Sequence, residues 1–124
     1  MPACPPLPPD SAIDANRVEL SLNELPAAQV VSGEPRSGAV ELGTLGGCAV
    51  GVWHITPGVS TDVEADELFV VLSGRAVVEF DDGSTPLQLQ PGSVARLRGG
   101  SRTTWTVSET LRKIYIVESD GSQA

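Results

Sequence analysis

Few residues in this 124-residue chain could carry chemistry. His54 is the only histidine, and a lone imidazole makes no metal site. It is nevertheless the side chain whose ordinary pKa suits proton transfer near neutrality. Glu67 stands at the head of the apolar run "LFVVL" (68–72). A carboxylate carried into a dry interior must be paired, protonated or hydrated. Three readings stay open for Glu67: a bridge to Arg96, Arg98 or Arg102, a hydrated acid at the mouth of the fold, or an acceptor for a ligand amine, amide or hydroxyl. Glu67 and His54 are also the candidate acid–base pair, provided both face one cavity, in which case Trp53 faces away.

Asp62, Glu64, Asp66 and Glu67 place four carboxylates within six residues, enough oxygen to raise the question of calcium. Strand alternation sends Asp66 and Glu67 to opposite faces, so they cannot share one ion. The stretch reads as a solvated acidic loop leading into a strand. No serine or threonine has a histidine at motif distance, and Cys48 has no evident partner. The glycine-rich "LGTLGG" (42–47) lacks the Gly-Lys-Ser/Thr and the following helix of a phosphate loop. It is a turn.

The elements that must position these groups are short β-type runs with turn signals between them. "RVELSL" (17–22) alternates like a half-buried strand, as does "AVELGTL" (39–45). "CAVGVWHIT" (48–56) follows Gly46-Gly47 and is closed by Pro57-Gly58. "ELFVVLS" (67–73) is broken at Gly74, with "RAVVEF" (75–80) running back and a hairpin signal at Asp82-Gly83. "TPLQLQ" (85–90), "SVARL" (93–97), "RTTWTV" (102–107) and "LRKIYIV" (111–117) complete the set. Short strands spaced at about 8 to 12 residues imply an all-β sandwich or barrel. If Glu67 points inward, Phe69 and Val71 follow it, with Leu68 and Val70 on the other face; if Thr103 points inward, so do Trp105 and Val107.

The length suits one domain, with 1–16 as a proline-rich lead-in and 17–124 as the domain proper. Five prolines in the first ten residues exclude a helix there. A formal net charge of −8 argues against nucleic acid and against anionic membrane surfaces. No apolar stretch reaches the roughly 18 residues of a membrane span, and "MPACPPLPPD" lacks the regions of a signal peptide. A cytoplasmic protein is expected, with Cys4 and Cys48 as free thiols.

The segments "GVWHITPG", "DELFVVLSGRAVV", "LQPGSVARLRGGSRTTW" and "LRKIYIV" resemble the cupin superfamily, and more narrowly the small single-domain cupins grouped with ureidoglycine aminohydrolase. The resemblance covers about residues 38–118 and implies a double-stranded β-helix, the jelly-roll barrel. A typical cupin grips a divalent ion with two histidines and a glutamate of its first motif and one histidine of its second. Aligned on Glu67 and Gly74, the first two positions fall on Thr61 and Val63, or on Ser60 and Asp62 if the register shifts by one. Aligned on Gly92 and Gly100, the third falls on Thr103. None supplies an imidazole, so neither metal nor other cofactor is expected. The vacated pocket would present Thr61, Val63, Glu67, Phe69, Thr103 and Trp105 to a ligand. Similar small cupins are commonly dimers, so a homodimer is expected. These features imply metal-independent binding of a small molecule. The alternatives are an enzyme resembling ureidoglycine aminohydrolase, a metal-free lyase or epimerase using His54 and Glu67 on a small nitrogenous or carboxylate metabolite, and a purely structural barrel filled by its own side chains.

Overall fold

A computed structural model describes residues 7–118; the first six residues of the proline-rich lead-in, Cys4 among them, lie outside the described residues. In chain order the strands are β1 (Asn23–Glu24), β2 (Val30–Ser32), β3 (Arg36–Leu45), β4 (Cys48–Ile55), β5 (Gly58–Val63), β6 (Glu67–Phe80), β7 (Leu87–Leu89), β8 (Val94–Leu97) and β9 (Arg102–Glu118). Two single-turn 3₁₀ helices, Ala15–Arg17 and Ala27–Gln29, are the helical elements among the described residues.

The two longest strands organise the rest. β6 and β9 run antiparallel from Glu67 opposite Val117 to Phe80 opposite Thr103. Each was expected as two strands, with a reversal at Gly74; each instead continues as one bent strand. Gly74 sits at φ +92°, and a Cβ there would overlap the Thr110 carbonyl. Glycine is the residue that permits both the positive φ and the close strand approach. Register shifts between Val71 and Ala76 mark a bulge at this bend. The bulge also switches parity in β6: Phe69 and Val71 are buried before it, Ala76 and Val78 after it.

Because both strands bend, each half joins a different layer. The 111–118 half of β9 lies between β4 and the first half of β6, extending to β3, β1 and β8. The 102–107 half lies between β5 and the second half of β6, extending to β2 and β7. The result is an all-β jelly-roll barrel in a single small domain. Its core draws on both layers, with Ile55, Phe69, Val71, Val78, Leu97, Trp105, Val107 and Leu111 packed together. Burying such side chains is what offsets the entropy of ordering so many strands.

Two further segments differ from the sequence expectation. Val18, Leu20 and Leu22 are half-buried and alternate with exposed neighbours, yet 17–22 forms no ladder. It is an extended arm laid across the sheet, so close that a Cβ on Gly38 would overlap the Ser21 carbonyl. β5 was not foreseen, because among its residues only Ser60 is buried and no apolar alternation announces it. Its backbone is secured instead by pairing with β9 along its whole length. No helix among the described residues is long and apolar enough to cross a membrane.

Candidate functional site

The barrel encloses a cavity of about 500 Å³, open on one side. β4 contributes Trp53 and Ile55, β6 contributes Glu67, and β9 contributes Trp105, Lys113, Tyr115 and Val117. Ser60 to Asp62 of β5, with Glu64 just beyond it, form another wall, and Asn23 to Pro26 with Gln29 form the rim. The purely structural reading, in which side chains fill the barrel, is therefore set aside.

At the floor, Lys113 Nζ lies 2.7 Å from Glu67 Oε2, and the two side chains are only 6% and 13% exposed. The same ammonium sits 4.1 Å from the Phe69 ring centroid, 4.5 Å from Trp53 and 5.1 Å from Trp105. The negative faces of three rings and one carboxylate thus solvate a buried cation. Trp53 and Trp105 meet edge to face at 5.7 Å, which holds the basin in shape. The partner of Glu67 is accordingly none of the three arginines expected. Arg96 pairs with Leu68 and so shares that residue's outward face, while Glu67 pairs with Leu97. Arg102 pairs with Val63 at the far end of β5.

A second carboxylate is fixed above the floor. Glu64 Oε2 accepts hydrogen bonds from Thr103 Oγ1 at 2.6 Å and Trp105 Nε1 at 3.0 Å, and the residue is 8% exposed. It is no part of a solvated loop. Its N–H donates to the Ser101 carbonyl and its own carbonyl accepts from Gly100 N–H, which turns the side chain inward. Asp66 points the other way and accepts the Gly99 N–H at 2.8 Å. At the rim, Asp62 has its carboxyl pKa raised, first by burial and then by the charge of Glu64. Tyr115 is likewise raised, by burial and then by Glu41 and Glu67, and stays a neutral phenol. Its hydroxyl occupies the place a Cβ on Gly51 would take, so the glycine opposite seats the ring.

Of the residues expected in the pocket, Thr61, Glu67 and Trp105 line it. Phe69 and Thr103 lie beneath the lining, fully buried, one under the Lys113 ammonium and the other holding Glu64. Val63 departs from expectation: it faces solvent and is 56% exposed. Ser60 and Asp62 pair with Trp105 and Thr103 and share their inward face, so the register shifted by one is the inward one. His54 does not meet Glu67. It lies on the outer face opposite Arg112, and its Nδ1 accepts from Arg112 Nε at 3.2 Å. Burial, and then the Arg112 charge, lower its pKa. Trp53, which would have faced away had His54 turned inward, lines the cavity instead.

Lys113 was missed. The signal was present, since the parity of Thr103, Trp105 and Val107, interrupted by exposed Glu109, resumes at Leu111 and reaches Lys113 on the same inward face. Reading β9 as two strands discarded that parity.

Fold and site together define a small cupin with an ammonium buried at the floor of its barrel cavity. The sequence matches the EutQ-like cupin domain over residues 42–115, more than half of the chain, and the protein belongs to that family. Among solved structures it is similar to a DUF861-family protein of unknown function from Pseudomonas syringae pv. tomato, with 24% identity and a TM-score of 0.72. That match covers 86% of this chain and 47% of the other, so the chain spans about half the length of that protein. A cupin superfamily protein from Desulfitobacterium hafniense shows 17% identity and a TM-score of 0.63, covering 92% and 95% of the two chains. The EutQ protein of Clostridium difficile shows 19% identity and a TM-score of 0.60, covering 69% and 65%. These likenesses carry the fold. Comparison with curated proteins gives no match.

The divalent ion typical of the superfamily does not fit the residues present. Ser60, Asp62 and Thr103 stand where imidazoles would be, Thr103 is bonded to Glu64, and the one histidine is on the outer face. Among the described residues no three His, Cys, Asp or Glu side chains group so as to hold an ion. Any divalent cation approaching Glu67 would also meet the Lys113 ammonium already bonded there, and like charges repel.

Proposed function

We propose that this protein binds a small organic molecule in the barrel cavity without a metal ion. The observation that carries the reading is the cavity itself: about 500 Å³, aromatic-walled, and furnished with buried polar groups held in place before any ligand arrives. A concavity with aromatic walls and convergent, fixed polar groups is what a small-ligand site requires. Prior fixing of Glu64 and Glu67 lowers the ordering cost of binding.

Binding is favoured over turnover because the ionisable groups at the floor are already engaged with one another. Glu67 is closed on Lys113, and Glu64 is held by two donors. The ureidoglycine aminohydrolase type of activity depends on a metal-bearing barrel, for which this donor set gives no support. A lyase or epimerase that needs His54 and Glu67 on one substrate finds them on opposite sides of the sheet.

A thermal-shift screen of amines, ureides, amino acids, organic acids and sugars tests the reading. A ligand at 100 times its dissociation constant adds about 2.7 kcal/mol of stability. Trp53→Ala, which removes a wall, is expected to weaken that ligand. No stabilisation by any compound, or an effect indifferent to the cavity wall, would refute the proposal.

A further inference from the structure

We infer that the cavity selects a small organic cation, an ammonium or amidinium group, with Glu64 as its counter-charge; the inference rests on the binding reading above. The charged residues lining the cavity are Glu24, Asp62, Glu64, Glu67 and Lys113. Lys113 and Glu67 neutralise each other at 2.7 Å. Three carboxylates then remain with no basic side chain in the lining to balance them. Of these, Glu64 is the one built into the wall: it is more than nine-tenths buried, and both of its side-chain hydrogen bonds fall on Oε2. Oε1 takes neither. A buried carboxylate held this way offers its second oxygen to a donor, and a charged donor gains most.

The aromatic walls point to the same sign of charge. Trp53, Trp105 and Phe69 already solvate one ammonium, that of Lys113, at centroid distances of 4.1 to 5.1 Å. The basin therefore demonstrates on its own side chain the chemistry it would offer a guest, π faces beside a carboxylate. Burial first, and then the neighbouring charge of Glu64, raise the carboxyl pKa of Asp62, against a smaller opposing effect of Lys113. An anionic ligand would meet these acids and find Lys113 occupied.

Four probes on one frame test this: benzylamine, benzyltrimethylammonium, benzyl alcohol and benzoate, titrated calorimetrically into the full-length protein at pH 7.5. Both cations are expected to bind at least about ten-fold more tightly than the alcohol, with benzoate weakest. Glu64→Gln, which keeps the side chain's shape, is expected to weaken the cations by about ten-fold and leave the alcohol unchanged. If Glu64→Gln proves unstable, Asp62→Asn at the rim is the second variant, with a smaller loss in the same direction. Benzyl alcohol or benzoate binding as tightly as the cations would overturn the charge preference while leaving the binding reading standing. Cation binding indifferent to both substitutions would overturn it equally. No binding by any of the four would strike the cavity reading itself.

Discussion

Trp53–His54 and Arg112–Lys113 are neighbouring pairs on paired strands, and the two faces of the sheet divide them. Trp53 and Lys113 go inward, where the ammonium is balanced by Glu67 and by ring faces. His54 and Arg112 go outward, where the guanidinium is spent on structure. Arg112 Nη1 donates to the carbonyls of Ala15 and Val18 at 2.8 and 2.7 Å, while Nε reaches His54. One strand thus carries two cations one residue apart with different tasks. The inner cation shapes a cavity floor, and the outer one pins the arm that continues into the cavity rim at Asn23 to Pro26. Side-chain type alone would have favoured the histidine as the functional group. The fold puts the lysine, not the histidine, inside the cavity.

Substitutions can break this contrast, and the inner pair should show the largest effect. Lys113→Met leaves Glu67 buried without its partner and is expected to cost about 3–5 kcal/mol in urea unfolding. Adding Glu67→Gln should recover part of that loss, since the two side chains act as one unit. A loss below about 1 kcal/mol would mean that water, rather than Lys113, solvates the acid. At the bend that brings the two layers together, Gly74→Ala must tolerate a positive φ and the Thr110 carbonyl, and should cost about 2–3 kcal/mol.

On the outer face, Arg112→Ala removes hydrogen bonds from a charged donor and should cost about 2 kcal/mol. Its signature is local: amide exchange should accelerate at residues 15–22 while the amides of β6 stay protected. Equal acceleration in both would show that the arm and the barrel are not separable. The smallest effect is the pH response of His54. Its folded pKa is lowered by burial and then by Arg112, so the unfolded chain binds the proton more readily. The stability this group contributes is complete above the unfolded value near 6.5 and is lost as pH falls through it. His54→Gln should therefore flatten part of the stability decline between pH 7 and pH 5; an unchanged slope would assign the decline to other groups.

Much of the barrel was legible because alternation is a local property. The inward set of Phe69 and Val71 on β6, and of Trp105 and Val107 on β9, follows from one parity choice on each strand. What escaped the sequence depended on strand continuity. Gly74 reads as a break, whereas in the fold it is a bulge inside one strand, and the turn-like 108–110 is the matching bend in β9. Splitting β9 there hid Lys113, and with it the partner of Glu67. The parity of β4 relative to the cavity is set by its pairing with β9, a long-range fact, so Trp53 and His54 could not be assigned locally. Glu64 was misjudged for a related reason, since composition marks an acidic run as solvated until the Gly100 and Ser101 backbone bonds turn one member inward.

The claim beneath all of this is that Lys113, and no metal ion, answers the charge of Glu67. Elemental analysis of protein purified without affinity metal from metal-replete medium tests it most directly. The account predicts Mn, Fe, Ni and Zn each far below one atom per chain. A stoichiometric ion that disappears in Glu67→Gln would contradict it.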